Sequence, residues 1–215
     1  MHNRFKKIIV VLVLLLLVTG CVNVNNSSVD EIINVTLNSK YKLFNQVNRG
    51  YKYYLPREME SSIKDDCNEI IKSKYYDYYL YVDLVSYYNN IEENYQVDNS
   101  IYISKLLNDK GILNVSKMAN GDYVLQVVYN YSKIEVKVKY EDINEAISNS
   151  LVILSSIQYN RDVISKLVED NQISGSEEEV QVFNINDSNS DYLEVDDTYT
   201  GEDSEAEYDP DVINK

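Results

Sequence analysis

The fold class is decided by residues 112–140, ILNVSKMANGDYVLQVVYNYSKIEVKVKY. The last part of this stretch alternates the apolar residues Ile134, Val136, Val138 and Tyr140 with the charged residues Lys133, Glu135, Lys137 and Lys139. A period of two is typical of a strand with one buried face and one solvated face. Asn120-Gly121 is a residue pair that favours a type I′ hairpin turn. The stretch therefore predicts an antiparallel meander with one wet face.

The hydrophobic period changes directly after this meander. Apolar or small residues then recur along one helix face, namely Ile143, Ala146, Ile147, Ser150, Leu151, Leu154 and Ile157. This spacing predicts a helix from Asp142, as N-cap and capping partner of Glu145, to about Gln158, and Asn160 predicts the cap of a second, short helix. An antiparallel β-meander packed against a long C-terminal helix is an α+β layered sandwich, which we predict as a single domain over residues 29–170.

A tyrosine-rich segment, Tyr75 to Tyr87, predicts a further strand. Its alternation places Tyr76, Tyr78, Leu80, Val82 and Leu84 on one face and Asp77 and Asp83 on the other. The outward tyrosines would then be Tyr75, Tyr79, Tyr81 and Tyr87, which together form a candidate binding face. Tyrosine offers apolar area together with a hydroxyl, and carbohydrate, peptide or a partner protein could use such a face. The alternatives are that a second layer covers it, or that tyrosine replaces phenylalanine through codon usage.

Two shorter signals precede this strand. Ser28 with Glu31 matches a capping box and predicts a helix from about residue 29. The stretch 50–56, GYKYYLP, predicts a short aromatic strand that ends at Pro56.

The first 21 residues resemble a bacterial lipoprotein signal peptide. A basic start is followed by an apolar run from Ile8 to Val18 and then by Val18-Thr19-Gly20-Cys21, which resembles the lipobox. The resemblance implies cleavage after residue 20, diacylglyceryl attachment to the Cys21 thiol, and a short tether over residues 21–28. An ordinary secretory signal and an uncleaved anchor are the alternatives. We therefore expect a lipid-anchored protein on the extracytoplasmic face of a cell membrane.

The negative charge of the chain is concentrated at its C-terminal end. Residues 22–168 contain 19 acidic and 16 basic side chains, whereas residues 169–215 contain 16 acidic side chains and one basic one. This balance disfavours nucleic acid as a partner, because nucleic-acid binding requires Lys and Arg to neutralise phosphates. Residues 171–215 are also rich in Ser, Asn and Gly, which predicts a disordered acidic tail. The alternative is that the short apolar run Val180, Val182, Phe183, Ile185 docks on the sheet.

No catalytic or metal site is predicted, and no cofactor. The only histidine is His2, inside the predicted signal peptide, so the mature chain would lack the base of Ser-His and Cys-His catalysis and the usual zinc ligand. The carboxylate pairs Asp65-Asp66 and Glu92-Glu93 suit a solvated surface better than a glycosidase, whose clefts usually contain Trp, which this chain lacks. Residues 187–198 begin like an EF-hand loop, but Tyr192 and Thr198 replace its glycine and its bidentate glutamate.

Cys67 would be the only cysteine left for other chemistry once Cys21 is lipidated. We expect a half-buried free thiol there; an intermolecular disulfide and a reactive site are the alternatives.

The order of these parts resembles the PsbP-like fold. The resemblance covers about residues 48–160 and is carried by the motif at residues 50–56, the antiparallel meander, and the helix end Leu154-Ser155-Ser156-Ile157-Gln158-Tyr159. It implies a layered domain that binds or scaffolds other proteins, with no catalytic residues to carry over.

The sequence as a whole therefore predicts a lipid-anchored binding or scaffold module of the bacterial cell envelope, without catalysis and with a protein partner in the envelope. The alternative is an accessory solute-binding lipoprotein.

Overall fold

The computed structural model describes residues 24–39, 43–63, 67–173 and 182–183. These residues form an α+β fold, as the sequence predicts, with antiparallel sheets and a long C-terminal helix. The helices are α1 (Val29–Leu37), α2 (Leu84–Asn89), α3 (Ile143–Ser156) and α4 (Arg161–Glu169), with 3-10 turns at Val24–Asn26 and Tyr140–Asp142. The strands are β1 (Gln46–Val47), β2 (Tyr51–Tyr53), β3 (Glu60–Ile63), β4 (Asn68–Lys72), β5 (Asp77–Val82), β6 (Ile103–Leu106), β7 (Gly111–Lys117), β8 (Tyr123–Tyr129), β9 (Ser132–Val138) and β10 (Gln158–Tyr159).

Seven strands form one antiparallel sheet in the order β3-β4-β5-β9-β8-β7-β6. Its inner face carries rows of apolar side chains, one of which runs across Ile71, Tyr78, Val136, Leu125 and Val115. All five are at most 2% exposed. Helix α3 packs on β8 and β9, and α1 packs on α3. The core therefore lies between the inner face and the helical layer.

A second, three-stranded sheet has the order β1-β2-β10. It joins two of the three parts on which the PsbP-like resemblance rests, since Tyr51 of β2 pairs with Tyr159 of β10. The side chains of Tyr51 and Tyr53 are buried and point to the main core.

The helix starts follow the predicted caps in two cases out of three. Ser28 Oγ accepts the Glu31 N–H at 3.2 Å at the start of α1, and Asn160 Oδ1 accepts the Val163 N–H at 3.3 Å at the start of α4. Asp142 occupies the N-cap position of α3, but its side chain makes no cap bond and instead accepts the hydroxyl of Tyr76.

The type I′ turn lies one hairpin later than predicted. Asn130 and Tyr131, with φ of 50° and 62°, form the two-residue loop between β8 and β9, whereas at Asn120-Gly121 only Gly121 has a positive φ. The Gly121 N–H donates to Met118 O and the Met118 N–H donates to Asp122 O, which makes a three-residue loop with glycine in the left-handed position. That is the second common way of closing an antiparallel hairpin.

The predicted strand over residues 75–87 is wrong at its end. Strand β5 stops at Val82, because the Asp83 carboxylate accepts the Ser86 N–H at 2.7 Å and caps helix α2. Within β5 the predicted alternation is confirmed, since Tyr78, Leu80 and Val82 face the core.

Several predictions concern residues outside the described ranges: the signal peptide and lipobox, including His2 and Cys21, Asp65-Asp66, the loop at 187–198 and most of the acidic tail. Within the described residues, no helix is long and apolar enough to cross a membrane.

Candidate functional site

The face of the main sheet that points away from α3, here called the outer face, is the candidate site. In register across β5, β9 and β8, it carries the row Tyr79, Glu135 and Gln126 and the neighbouring row Tyr81, Lys133 and Val128. The sequence predicts a wet surface here, and that is wrong at its centre: Glu135 is 1% exposed and Lys133 is 5% exposed. Ile112 and Val124 are also buried on this side, apart from the main core.

A buried ion pair lies at the centre of the outer face. Lys133 Nζ lies 2.8 Å from Glu135 Oε1, and the same oxygen accepts Gln126 Nε2 at 3.2 Å. The other oxygen, Oε2, accepts the main-chain N–H of Val182 at 3.2 Å. An opposite charge and hydrogen bonds both offset the desolvation cost of a buried carboxylate, and Glu135 has both. Glu135 is therefore a fixed acceptor that already holds a peptide N–H.

One cleft on this face is the Phe183 cleft, of about 430 Å³. Its lining includes Tyr75, Tyr76, Tyr79, Asp122, Lys137 and Phe183. The ring of Phe183 meets that of Tyr79 edge to face, with centroids 5.6 Å apart, and Lys137 Nζ lies 5.9 Å from the Phe183 centroid. Edge-to-face contact is a favoured geometry for aromatic pairs. The cleft therefore accepts an aromatic ring.

Two charged side chains at the rim of the Phe183 cleft form an ion pair. Lys139 Nζ lies 2.5 Å from Asp122 Oδ1, and this contact lowers the pKa of the Asp122 carboxyl and raises the pKa of Lys139. Opposite charges favour each other's ionised form, so both groups stay charged over the physiological range.

The second cleft, here the Tyr131 cleft, is larger, at about 740 Å³. Three tyrosines line it, Tyr81, Tyr95 and Tyr131, and its charged residues are Asp83, Glu92, Glu93, Asp109, Lys110 and Lys133. Burial and a hydrogen bond to Glu93 raise the pKa of the Tyr95 hydroxyl, which stays a neutral donor. The volume lies in the range of small-molecule sites, and rings beside carboxylates and amides suit a polar ligand with hydroxyl or amino groups.

Three of the four tyrosines predicted as a binding face lie on the outer face, and Tyr87 does not. Tyr75 and Tyr79 line the Phe183 cleft and Tyr81 lines the Tyr131 cleft. Tyr87 lies on α2, where its ring stacks on Tyr159 at 4.0 Å, and it lines neither cleft. It was placed on the face only because the strand was predicted to run past Val82. Tyr131 and Tyr95 were missed because neither lies in a strand.

A second buried carboxylate, Glu69, lies on the inner face and was also missed. It is 2% exposed and accepts Tyr51 OH at 2.5 Å and Tyr53 OH at 2.7 Å. Asn48 Nδ2 and Ser61 Oγ donate to it as well. Burial, followed by the negative charge of Glu69, raises the pKa of both tyrosines. All four donors are neutral, and those of Asn48, Tyr51 and Tyr53 tie the three-stranded sheet to the main sheet.

Within the described residues, no three or more His, Cys, Asp and Glu side chains are grouped so that they could hold a metal ion. The Cys67 thiol is 1% exposed, which is deeper than the half-buried position that the sequence predicts. No protein-family model matches the chain, and no curated protein matches it either.

Proposed function

We propose that this chain is a lipid-anchored binding module on the extracytoplasmic face of a bacterial envelope, attached through Cys21, and that its ligands bind on the outer face of the main sheet. The observation that carries the proposal is the pair of tyrosine-lined clefts on either side of the buried Lys133–Glu135 pair. Tyrosine is enriched at binding surfaces, since its ring buries apolar area while its hydroxyl keeps a polar contact.

The partner that this proposal favours is another protein of the envelope. A non-catalytic role agrees with a mature chain that would lack histidine, and the PsbP-like resemblance points to the same class of function. The acidic tail would add long-range attraction to a basic partner, which salt would screen over about 10 Å at 0.1 M.

A second candidate, an accessory solute-binding lipoprotein, is favoured by one observation. The Tyr131 cleft, at about 740 Å³, has the size of a site for a small molecule. A small ligand that binds there would raise the melting temperature of the purified protein, because it stabilises only the folded state.

The Tyr131 cleft gives the test of the proposed binding role. Tyr81→Ser combined with Tyr95→Ser should reduce partner capture, measured by crosslinking on cells followed by affinity purification, about tenfold or more, because tyrosines are common binding hot spots. Tyr140→Ser is the matched control: Tyr140 is 61% exposed, contacts Tyr102 and Tyr123, and lines neither cleft. Equal capture by the double variant and the control would contradict the proposal.

Substitution of Cys21 tests the proposed lipid anchor. Cys21→Ser should abolish labelling by a radioactive fatty acid and release the protein from the membrane fraction, because a single chemical attachment point carries the acyl chains. More than one chain is needed for stable anchoring. Cys67→Ser is the control, and it should leave both readouts unchanged. Membrane retention and lipid labelling that survive Cys21→Ser would disprove the anchor.

A further inference from the structure

The outer face holds a segment of this same chain. Val182 and Phe183 are both half-buried and lie against β5 and β9, although the nearest preceding described residue is Ile173. They contact the sheet through the main chain, by the Val182 N–H on Glu135, and through a side chain, by the Phe183 ring on Tyr79. These are two of the four residues in the apolar run for which docking was the alternative to disorder.

We propose that the Phe183 cleft is a docking groove for a peptide segment with an aromatic side chain, and that Val182–Phe183 occupies it in cis as an internal ligand. This inference deepens the proposed function, because it names the kind of partner that one part of the outer face binds.

The group that accepts the main-chain N–H of the peptide is held in place in advance. Glu135 Oε1 is held by Lys133 at 2.8 Å and Gln126 at 3.2 Å, so the carboxylate is fixed before any peptide arrives. Its Oε2 then accepts a peptide N–H in a buried setting. Hydrogen bonds to charged acceptors are stronger than neutral ones, and a fixed acceptor costs no side-chain entropy on binding. A main-chain contact of this kind does not depend on which side chain the peptide carries at that position.

Selectivity comes from the aromatic position. The next residue, Phe183, places its ring edge to face on Tyr79 and within 5.9 Å of Lys137 Nζ, where ring and ammonium attract each other. The charges of the lining balance, since Lys137 and Lys139 are matched by Asp77 and Asp122. A peptide with an aromatic side chain is therefore the expected ligand.

The cis segment also regulates access to the groove. An attached segment competes with a free peptide at an effective concentration of about millimolar order, so only a partner that binds better than Val182–Phe183 displaces it. Phe183 itself lines the cleft of about 430 Å³ together with Tyr75 and Tyr76, so there is room beside the internal ligand for a longer side chain.

The test uses the full-length chain and a labelled peptide of residues 178–187, EEVQVFNIND, followed by fluorescence anisotropy. The peptide should bind the Phe183→Ala chain at least about tenfold more tightly than the wild-type chain, because the variant no longer fills its own groove. A peptide that carries Phe183→Ala should bind neither chain. Phe44→Ala, at a residue 48% exposed, is the matched control and should behave as wild type.

A second measurement needs no variant of the protein. Hydrogen exchange in the wild-type chain should show protection of the Val182 amide, and an excess of unlabelled peptide should remove that protection, whereas the Phe183→Ala peptide should not. Peptide binding that is absent from both chains, or equal in both, would overturn the groove. That outcome leaves the capture experiment at the Tyr131 cleft unaffected, whereas equal capture by the Tyr81→Ser, Tyr95→Ser variant and its control, with intact peptide binding, would count only against the envelope role.

Discussion

Glu69→Leu is expected to lower the free energy of unfolding by about 3 to 5 kcal/mol. The substitution removes the acceptor of four hydrogen bonds and leaves the hydroxyls of Tyr51 and Tyr53 buried without it, 2% and 0% exposed. Each buried donor left unsatisfied costs about 1 to 3 kcal/mol. The loss of a buried charge offsets part of this cost, since desolvation of the carboxylate no longer opposes folding. Urea denaturation followed by circular dichroism measures the difference.

Two comparisons separate this mechanism from a loss of packing. Glu60→Leu, at an exposed position of the neighbouring strand β3, should change stability by no more than about 0.5 kcal/mol. Adding Tyr51→Phe and Tyr53→Phe to Glu69→Leu should recover about half of the loss or more, because removing both partners of a hydrogen bond costs less than removing one. If the triple variant is no more stable than Glu69→Leu alone, unsatisfied tyrosine hydroxyls are not the cause of the lost stability.

The elements with strong periodicity could be predicted from the sequence. Helix α3 and the strands β7 to β9 show their periods over seven or more residues, and side chains such as Ser28 and Asn160 mark helix starts by local chemistry. These signals are short-range, so no knowledge of the rest of the fold is needed to interpret them.

The burial of the outer face could not be predicted in the same way. Alternation shows that one face of β9 is apolar, but it does not show what covers the other, and charged residues such as Lys133 and Glu135 indicate exposure by default. Their burial depends on contacts with Gln126 and with Val182, which is 47 residues from Glu135. A pairing of that sequence separation leaves no local pattern.

The burial of Glu69 could not be predicted for a related reason. A glutamate within a short strand is typical of a solvated position, and its partners Tyr51 and Tyr53 lie 18 and 16 residues earlier. Their alternation in GYKYYLP does indicate that the two tyrosines share one face, and that shared face is the one signal that could have suggested a common acceptor.

The fold is also expected to unfold cooperatively as the pH rises from about 10 to 12, because buried tyrosines must stay neutral. Burial raises the pKa of Tyr78 to about 12, and it raises the pKa of Tyr51 and of Tyr53 further. The folded pKa lies above the ordinary value of 10.0, so this stability is fully present below pH 10 and is lost as the pH rises through the folded pKa. Above pH 10, each such tyrosine lowers the free energy of unfolding by about 1.4 kcal/mol per pH unit.

Tyrosinate absorbance and far-ultraviolet circular dichroism, recorded on the same alkaline titration, test this expectation. Exposed tyrosines should ionise first, with the dichroism unchanged. The buried tyrosines should ionise together with the loss of dichroism. The reason is that three buried tyrosines lower the free energy of unfolding by about 4 kcal/mol per pH unit, from a total of about 5 to 15 kcal/mol. Tyr78→Phe should move the unfolding midpoint to higher pH, whereas Tyr140→Phe, at a residue 61% exposed, should leave it in place. Ionisation of all 21 tyrosines in one step near pH 10, with the dichroism intact, would show that the hydroxyls of Tyr51, Tyr53 and Tyr78 reach water in the folded protein.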